Sequence, residues 1–381
     1  MNEFIYADNA ATTKIREEVL AGMLPLLGEE YGNASTLYRL GRMAHRRLED
    51  ARKEVASCLG AGPMDICFTS GGTEADNWAI KGVLHRLKRE GKTRLITTAI
   101  EHGAVLNAAK AMEKEGFSVT ILPVDAQGRV RVESLEEALT PDTALVSVMY
   151  ANNETGVIQP IEEIGALLRQ KKVLFHTDAV QAAGSLPIDV SKAKIDLLSL
   201  SAHKFHGPKG VGALYIRRGA LPDNLLDGGG QERGHRSGTE NVAGIVGLSI
   251  ALRLACEERE EKAERLSQMR ERLEKELLLI PGSQINGSGA PRLPGTLNMS
   301  FEGVDGQSLL MELDLLGVAA SSGSACNSGS MTPSHVLLSM GLPYVLAHGS
   351  LRISLGRYNS EEEIPVLAEK IEETVSRVRR K

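Results

Sequence analysis

The chain has 381 residues, 42% hydrophobic and 24% charged, with a formal net charge of −5. Such a length buries a large core and points to two domains, while the mild acidity argues against nucleic acid as a direct partner. No apolar run reaches membrane-spanning length, and Met1 to Ile5 lacks the charged and apolar regions of a secretory signal, so a reducing cytoplasm is the expected location.

From about residue 38 to 250 strand-like apolar runs alternate with helical patterns. In chain order the reading is strand 65–69, helix 73–90, strand 94–98, helix 104–115, strands 117–122 and 144–150, helix 161–170, then strands 173–176, 195–200 and 211–216. This order predicts an α/β domain on a mostly parallel sheet, with ligands at the carboxyl ends of its strands. Residues 249–279 read as one long amphipathic helix ended by Pro281 and Gly282. A smaller α/β unit follows, with strands at 296–301 and 351–354 and helices at 306–314 and 360–377. The basic end from Arg377 to Lys381 suits the carboxyl end of the last helix.

Ser70, Gly71, Gly72, Thr73 and Glu74 lie between a strand and a helix. The two glycines let backbone approach an anion, the helix start offers free N–H groups, and Thr73 adds a hydroxyl. Taken alone, this is an ordinary turn. No Walker A or G-x-G-x-x-G pattern is present at this turn, and the glycines at 228–230 lack the strand–turn–helix setting of a dinucleotide site. His102 follows the 94–98 strand and suits either a helix cap or a ring stacked on a cofactor. Asn153, after the 144–150 strand, suits plain turn chemistry or a cofactor or substrate contact.

Asp178 ends one strand, and Lys204, 26 residues further on, follows another in the run Ser201–Gly210. Singly they read as a cap and a surface residue. Together they suit pyridoxal phosphate (PLP): the lysine forms a Schiff base and the aspartate keeps the pyridine nitrogen protonated. Desolvation and nearby cations favour the uncharged amine that this needs. Ser201 and His203 reach a phosphate, and Gln181 the phenolic oxygen. Arg352 sits inside an apolar strand and needs an anionic partner, either a substrate α-carboxylate or a structural acid. Cys326 lies in a Gly/Ser-rich loop, accessible as a nucleophilic thiol. Cys58, Cys67 and Cys256 fall in helix or strand patterns and read as packing residues. The four cysteines form no Cys-x-x-Cys pair, so no zinc site of the usual spacing is expected, nor any other metal.

These motifs in this order, from Tyr6–Thr13 through Phe68–Asn77, Glu101–His102, Ala151–Gly156, the Asp178 and Lys204 runs, Gly229–Asn241, the Cys326 loop, Pro333–Leu337 and Arg352–Arg357, resemble the NifS/IscS-type cysteine desulfurases. These are class V members of the fold type I PLP enzymes. The resemblance spans nearly the whole chain. It implies a large PLP-binding domain over 13–255, with a mostly parallel seven-stranded sheet. It also implies a small α/β domain made of 1–12 and 256–381, which carries the cysteine loop at 321–332.

By the same resemblance Lys204 binds the cofactor covalently, Asp178 its ring nitrogen and Gln181 its phenolic oxygen. Gly72, Thr73, Ser201 and His203 surround the phosphate, and Thr239 completes the phosphate cup of a second subunit, so a homodimer is expected. His102 stacks on the ring, Asn153 and Arg352 hold substrate, and Cys326 is the nucleophile. L-Cysteine would yield L-alanine and a Cys326 persulfide, passed to an iron–sulfur scaffold or another sulfur carrier. A selenocysteine lyase on the same scaffold is the near alternative, and a PLP aminotransferase a more distant one. A non-catalytic protein that only binds a sulfur carrier is disfavoured by the intact lysine, aspartate and cysteine.

Overall fold

The computed structural model describes residues 4–323 and 333–380. Strand β1 (Ile5–Tyr6) precedes helices α1 (Glu17–Leu27) and α2 (Arg39–Leu59). Then come β2 (Ile66–Thr69), α3 (Gly72–Lys88), β3 (Arg94–Thr98), α4 (Gly103–Lys114), β4 (Ser118–Leu122), α5 (Val132–Ala138), β5 (Thr143–Ser147), α6 (Ile161–Lys171), β6 (Leu174–Asp178), β7 (Leu197–Ser201) and β8 (Gly212–Ile216). The chain continues through α7 (Val242–Glu257), α8 (Arg259–Leu277), β9 (Ser283–Ile285), β10 (Thr296–Phe301), α9 (Gly306–Leu315), β11 (Val318–Ala319), α10 (His335–Ser339), α11 (Tyr344–His348), β12 (Ser350–Ser354) and α12 (Glu363–Val378).

Seven strands form one sheet in the order β2-β8-β7-β6-β5-β3-β4. Only β8 runs against its neighbours, β2 and β7. Strands β5, β7 and β8 are buried along their whole length, which explains why they read as unbroken apolar runs. At the edge, β4 is mostly open. A second, antiparallel sheet of order β12-β10-β9 packs with α8, α9 and α12. Its core joins Leu266, Leu297, Phe301, Ile353 and Ile371 to Ile5 and Ala7 from the N-terminus. That N-terminal segment is held there because β1 pairs with β11 and Asp8 bridges to Ser354.

The single helix expected over 249–279 is two helices, α7 and α8, parted at Glu258, whose φ and ψ are −91° and 1°. The Glu258 carboxylate takes Arg16 Nη1 at 2.9 Å and also pairs with Arg357. Helix α7 packs on α1 and α2 whereas α8 packs on α12, so the apolar stripe changes partners at the break. Periodicity registers the stripe but not a change in what it faces. The expected strand 144–150 stops at Ser147, because Met149 N–H donates to the Glu101 carboxylate at 2.9 Å rather than to the sheet. At the basic C-terminus Arg377 pairs with Glu312, and Arg379 Nε donates to the Glu302 carbonyl. Among the described residues no helix is long and apolar enough to cross a membrane.

One buried ion pair locks the segment after β8 onto the large sheet. Arg52 of α2 makes two hydrogen bonds to Glu232, at 2.7 and 2.9 Å, and Glu232 also accepts Phe68 N–H at 3.0 Å. Removing one member strands a buried charge. Glu232→Ala should therefore lower unfolding stability by about 3–5 kcal/mol. Fluorescence of the single tryptophan, the fully buried Trp78, followed through a urea titration checks this; a change below about 1 kcal/mol would contradict it.

Candidate active site

The carboxyl ends of β6 and β7, the start of α3 and the N-terminal segment enclose a cavity of about 480 Å³. Asp178, Lys204, His102, Asn153, Gln181 and Arg352 all reach it. So do Gly72, Thr73, Ser201 and His203, gathered where α3 begins. The backbone comes close there because residue 72 has no side chain: a Cβ would stand 2.7 Å from Val180 Cγ2.

Asp178 closes β6, is buried, and accepts Val180 N–H at 2.9 Å. Burial pushes its pKa up, and His102, the Val180 N–H and Lys204 offset that rise only in part. A carboxylate so placed stays ionised only opposite a cation. Lys204 Nζ donates to the carbonyls of Ala10 and Ala11, at 2.6 and 2.8 Å. Gln181 Nε2 donates to Ala10 O at 3.0 Å. His102 caps α4, its Nδ1 accepting Ala104 N–H at 3.1 Å; a neutral ring then carries its proton on Nε2. His203 is pushed down to about 4, first by burial and then by the charges of Lys204 and Lys209. Its Nδ1 lies 3.2 Å from Thr12 Oγ1.

Arg352 is 1% exposed on β12. Nη2 pairs with Asp8 Oδ1 at 2.6 Å and Nη1 donates to Asn153 O at 3.0 Å, whereas Nε has no partner among the described residues. A structural acid, one of the two partners expected for this arginine, is thus present, and the Nε nitrogen remains without a partner among the described residues. Thr239 lies apart from the main cavity. It lines a neighbouring one of about 110 Å³ whose wall shares Ser70 and Gly210 with the first. Cys326 lies outside the described residues. Of the other cysteines Cys67 is buried, while Cys58 and Cys256 are half-buried and pack against the core of the large sheet.

Sequence reading missed Asp76, which lies in the cavity floor with a buried Oδ1 that lacks a hydrogen-bond partner, 3.6 Å from His176 Nε2. Burial and then the charge of Asp178 hold its carboxyl well above the usual range. The signal was an acid among Ala75, Trp78, Ala79 and Ile80 on the apolar side of α3. Behind it, burial lowers His176 to about 3 and raises Glu101 to about 8. His176 is held between Ser147 Oγ at 2.8 Å and Ser199 Oγ at 3.0 Å.

The class-V aminotransferase family model matches residues 5–367. The chain belongs to that family, in its NifS/IscS-type cysteine desulfurase branch. A protein named cysteine desulfurase IscS from Methanosarcina thermophila is 51% identical over 99% of this chain and 93% of its own length. Another of that name, from Clostridium botulinum strain Hall, is 53% identical over 97% of this chain and 94% of its own. A solved NifS-like protein superposes with a TM-score of 0.92 at 42% identity, covering 98% of this chain and all of the other. Family members depend on PLP, and the residues here fit it: an amine, a buried acid in want of a cation, an imidazole, and a helix start with hydroxyls and close backbone.

The folded chain keeps His206 neutral, its pKa lowered to about 4 mainly by burial, whereas the unfolded chain takes up that proton from about pH 6.5 downward. The unfolded state therefore binds more protons between these values, and stability falls as pH drops from about 6.5 to about 4. His203 acts in the same window. Asparagine tolerates the φ of 68° at position 206. His206→Asn should flatten the slope of urea midpoint against pH across that window, and an unaltered slope would refute the assignment.

Proposed function

We propose that this cavity desulfurates L-cysteine, giving L-alanine and a persulfide on Cys326, with the roles given to each residue below. The observation that carries the reading is a buried Asp178 sharing one cavity with Lys204, His102 and Arg352. PLP, when bound, supplies an electron-withdrawing ring conjugated to the substrate nitrogen. Asp178 holds a proton at the ring nitrogen, and burial makes that charge pairing strong. Gln181 would donate to the phenolic oxygen, His102 would lie against the ring, and Gly72, Thr73, Ser201 and His203 would hold the phosphate at the start of α3. Lys204 anchors the cofactor and, once freed, takes the Cα proton of the substrate. Arg352 grips the α-carboxylate, and Asn153, whose carbonyl orients the guanidinium, completes the substrate wall.

The Cys326 thiolate attacks the substrate sulfur. A sulfur–sulfur bond forms, the bond from sulfur to Cβ breaks, and the carbon product takes up protons to leave as L-alanine. The balance is cysteine plus thiol to alanine plus persulfide, with no external oxidant. The persulfide then passes to an acceptor, an iron–sulfur scaffold or another sulfur carrier. The large domain spans 13–255 and the small one 1–12 with 256–381, a division supported by the two separate apolar cores. The placement of Thr239 beside the shared Ser70 and Gly210 supports a homodimer in which it reaches the partner's phosphate. A cytoplasmic location suits a working free thiol.

Cys326→Ala should form no protein persulfide and little alanine from L-cysteine, with the bound-cofactor spectrum intact. Lys204→Ala should lose the visible absorbance of the covalently held cofactor. Parent-rate alanine production by the first, or an unchanged spectrum in the second, would refute the respective role.

A further inference from the structure

The arginine read as the carboxylate grip is already half engaged by an acid that has no part in the scheme above. Asp8 Oδ1 takes Arg352 Nη2 at 2.6 Å, and its Oδ2 accepts the Ser321 hydroxyl at 2.8 Å. Ser321 is bridged antiparallel to Arg352, its N–H donating to the Arg352 carbonyl at 3.2 Å. Asp8 is itself fixed by its bridge to Ser354. The guanidinium is therefore held along one side by Asp8 and the Asn153 carbonyl, and only the buried Nε is without a partner among the described residues.

We propose that Asp8 is a positioning residue that sets both the orientation of Arg352 and the strength of its hold on an α-carboxylate. The inference rests on the reading of Arg352 as the carboxylate grip. Substrate and product carry the same α-carboxylate, so an arginine with its whole charge unopposed in a buried setting would hold L-alanine as firmly as it holds L-cysteine. A counter-charge already on the guanidinium weakens that pull without moving the donors, and the product leaves. The same carboxylate fixes Ser321, so the arginine and the strand end that leads toward Cys326 keep one register.

Asp8→Asn preserves the shape and one acceptor while deleting the charge. In the holoenzyme it should tighten inhibition by L-alanine about three- to tenfold, the scale of one charge at a partly screened pair, and lower KM for L-cysteine together with kcat. Ser321→Ala, which keeps the charge and loses only the hydroxyl contact, should leave L-alanine inhibition within about twofold. Should Asp8→Asn fold poorly by thermal melting, Asp8→Ser removes the same charge and should tighten L-alanine likewise. Weaker or unchanged L-alanine inhibition in the charge-deleted variants overturns the proposal, as does equal tightening in Ser321→Ala. Cysteamine, which lacks the carboxylate, separates the two readings. If the parent enzyme turns it over as well as L-cysteine, the Arg352 assignment fails; if it discriminates and Asp8→Asn binds L-alanine unchanged, only the Asp8 inference fails.

Discussion

A carboxylate buried at the end of β6 governs the rest of this site. Asp178 cannot hold its charge in that setting without a cation opposite it, and the groups behind it, an acid and a neutral imidazole, supply none. Asp76 reaches the same floor from α3, and His176, two residues before Asp178 and therefore on the same face of the strand, is kept neutral by burial between two serine hydroxyls. The floor thus favours positive charge, which in the proposed reading the ring nitrogen of PLP would supply. Lys204 and His102 complete the cavity on its other sides, where an amine and an imidazole work near water rather than within the sheet.

The second constraint is the N-terminal segment, which ties the two cores to one cavity. Ile5 and Ala7 sit in the core of the smaller sheet, while three residues further on the carbonyls of Ala10 and Ala11 receive the Lys204 amine. Thr13 then docks on the chain beside that lysine, its hydroxyl donating to His203 O at 2.9 Å and accepting His206 N–H at 2.8 Å. The lysine of one sheet and the arginine of the other are thereby fixed to the same short strap. The smaller unit is thereby joined to the amine and to the guanidinium through one segment.

Helix pairing shows the same economy. The break at Glu258 lets α7 remain with the large sheet while α8 follows the small one, and the acid at the corner binds Arg16 and Arg357 from opposite units. A buried pair, Arg52 with Glu232, does the equivalent work for the segment that carries Thr239.

The sequence by itself determined the parallel strands and the residues at their ends, because strands buried on both faces read as apolar runs and stop where polar loops begin. Asp178, Lys204, His102 and the glycines before Thr73 were legible for that reason, and the ordered set of motifs carried the family. Tertiary structure alone decided what depends on distant pairing: the antiparallel β8 between β2 and β7, the turn at Glu258, and the meeting of Asp76 with Asp178. It also decided that Arg352 meets an acid 344 residues away and that Thr239 stands outside its own chain's main cavity. Local pattern records which face of an element is apolar, whereas the partner of a buried charge is chosen by the fold that surrounds it.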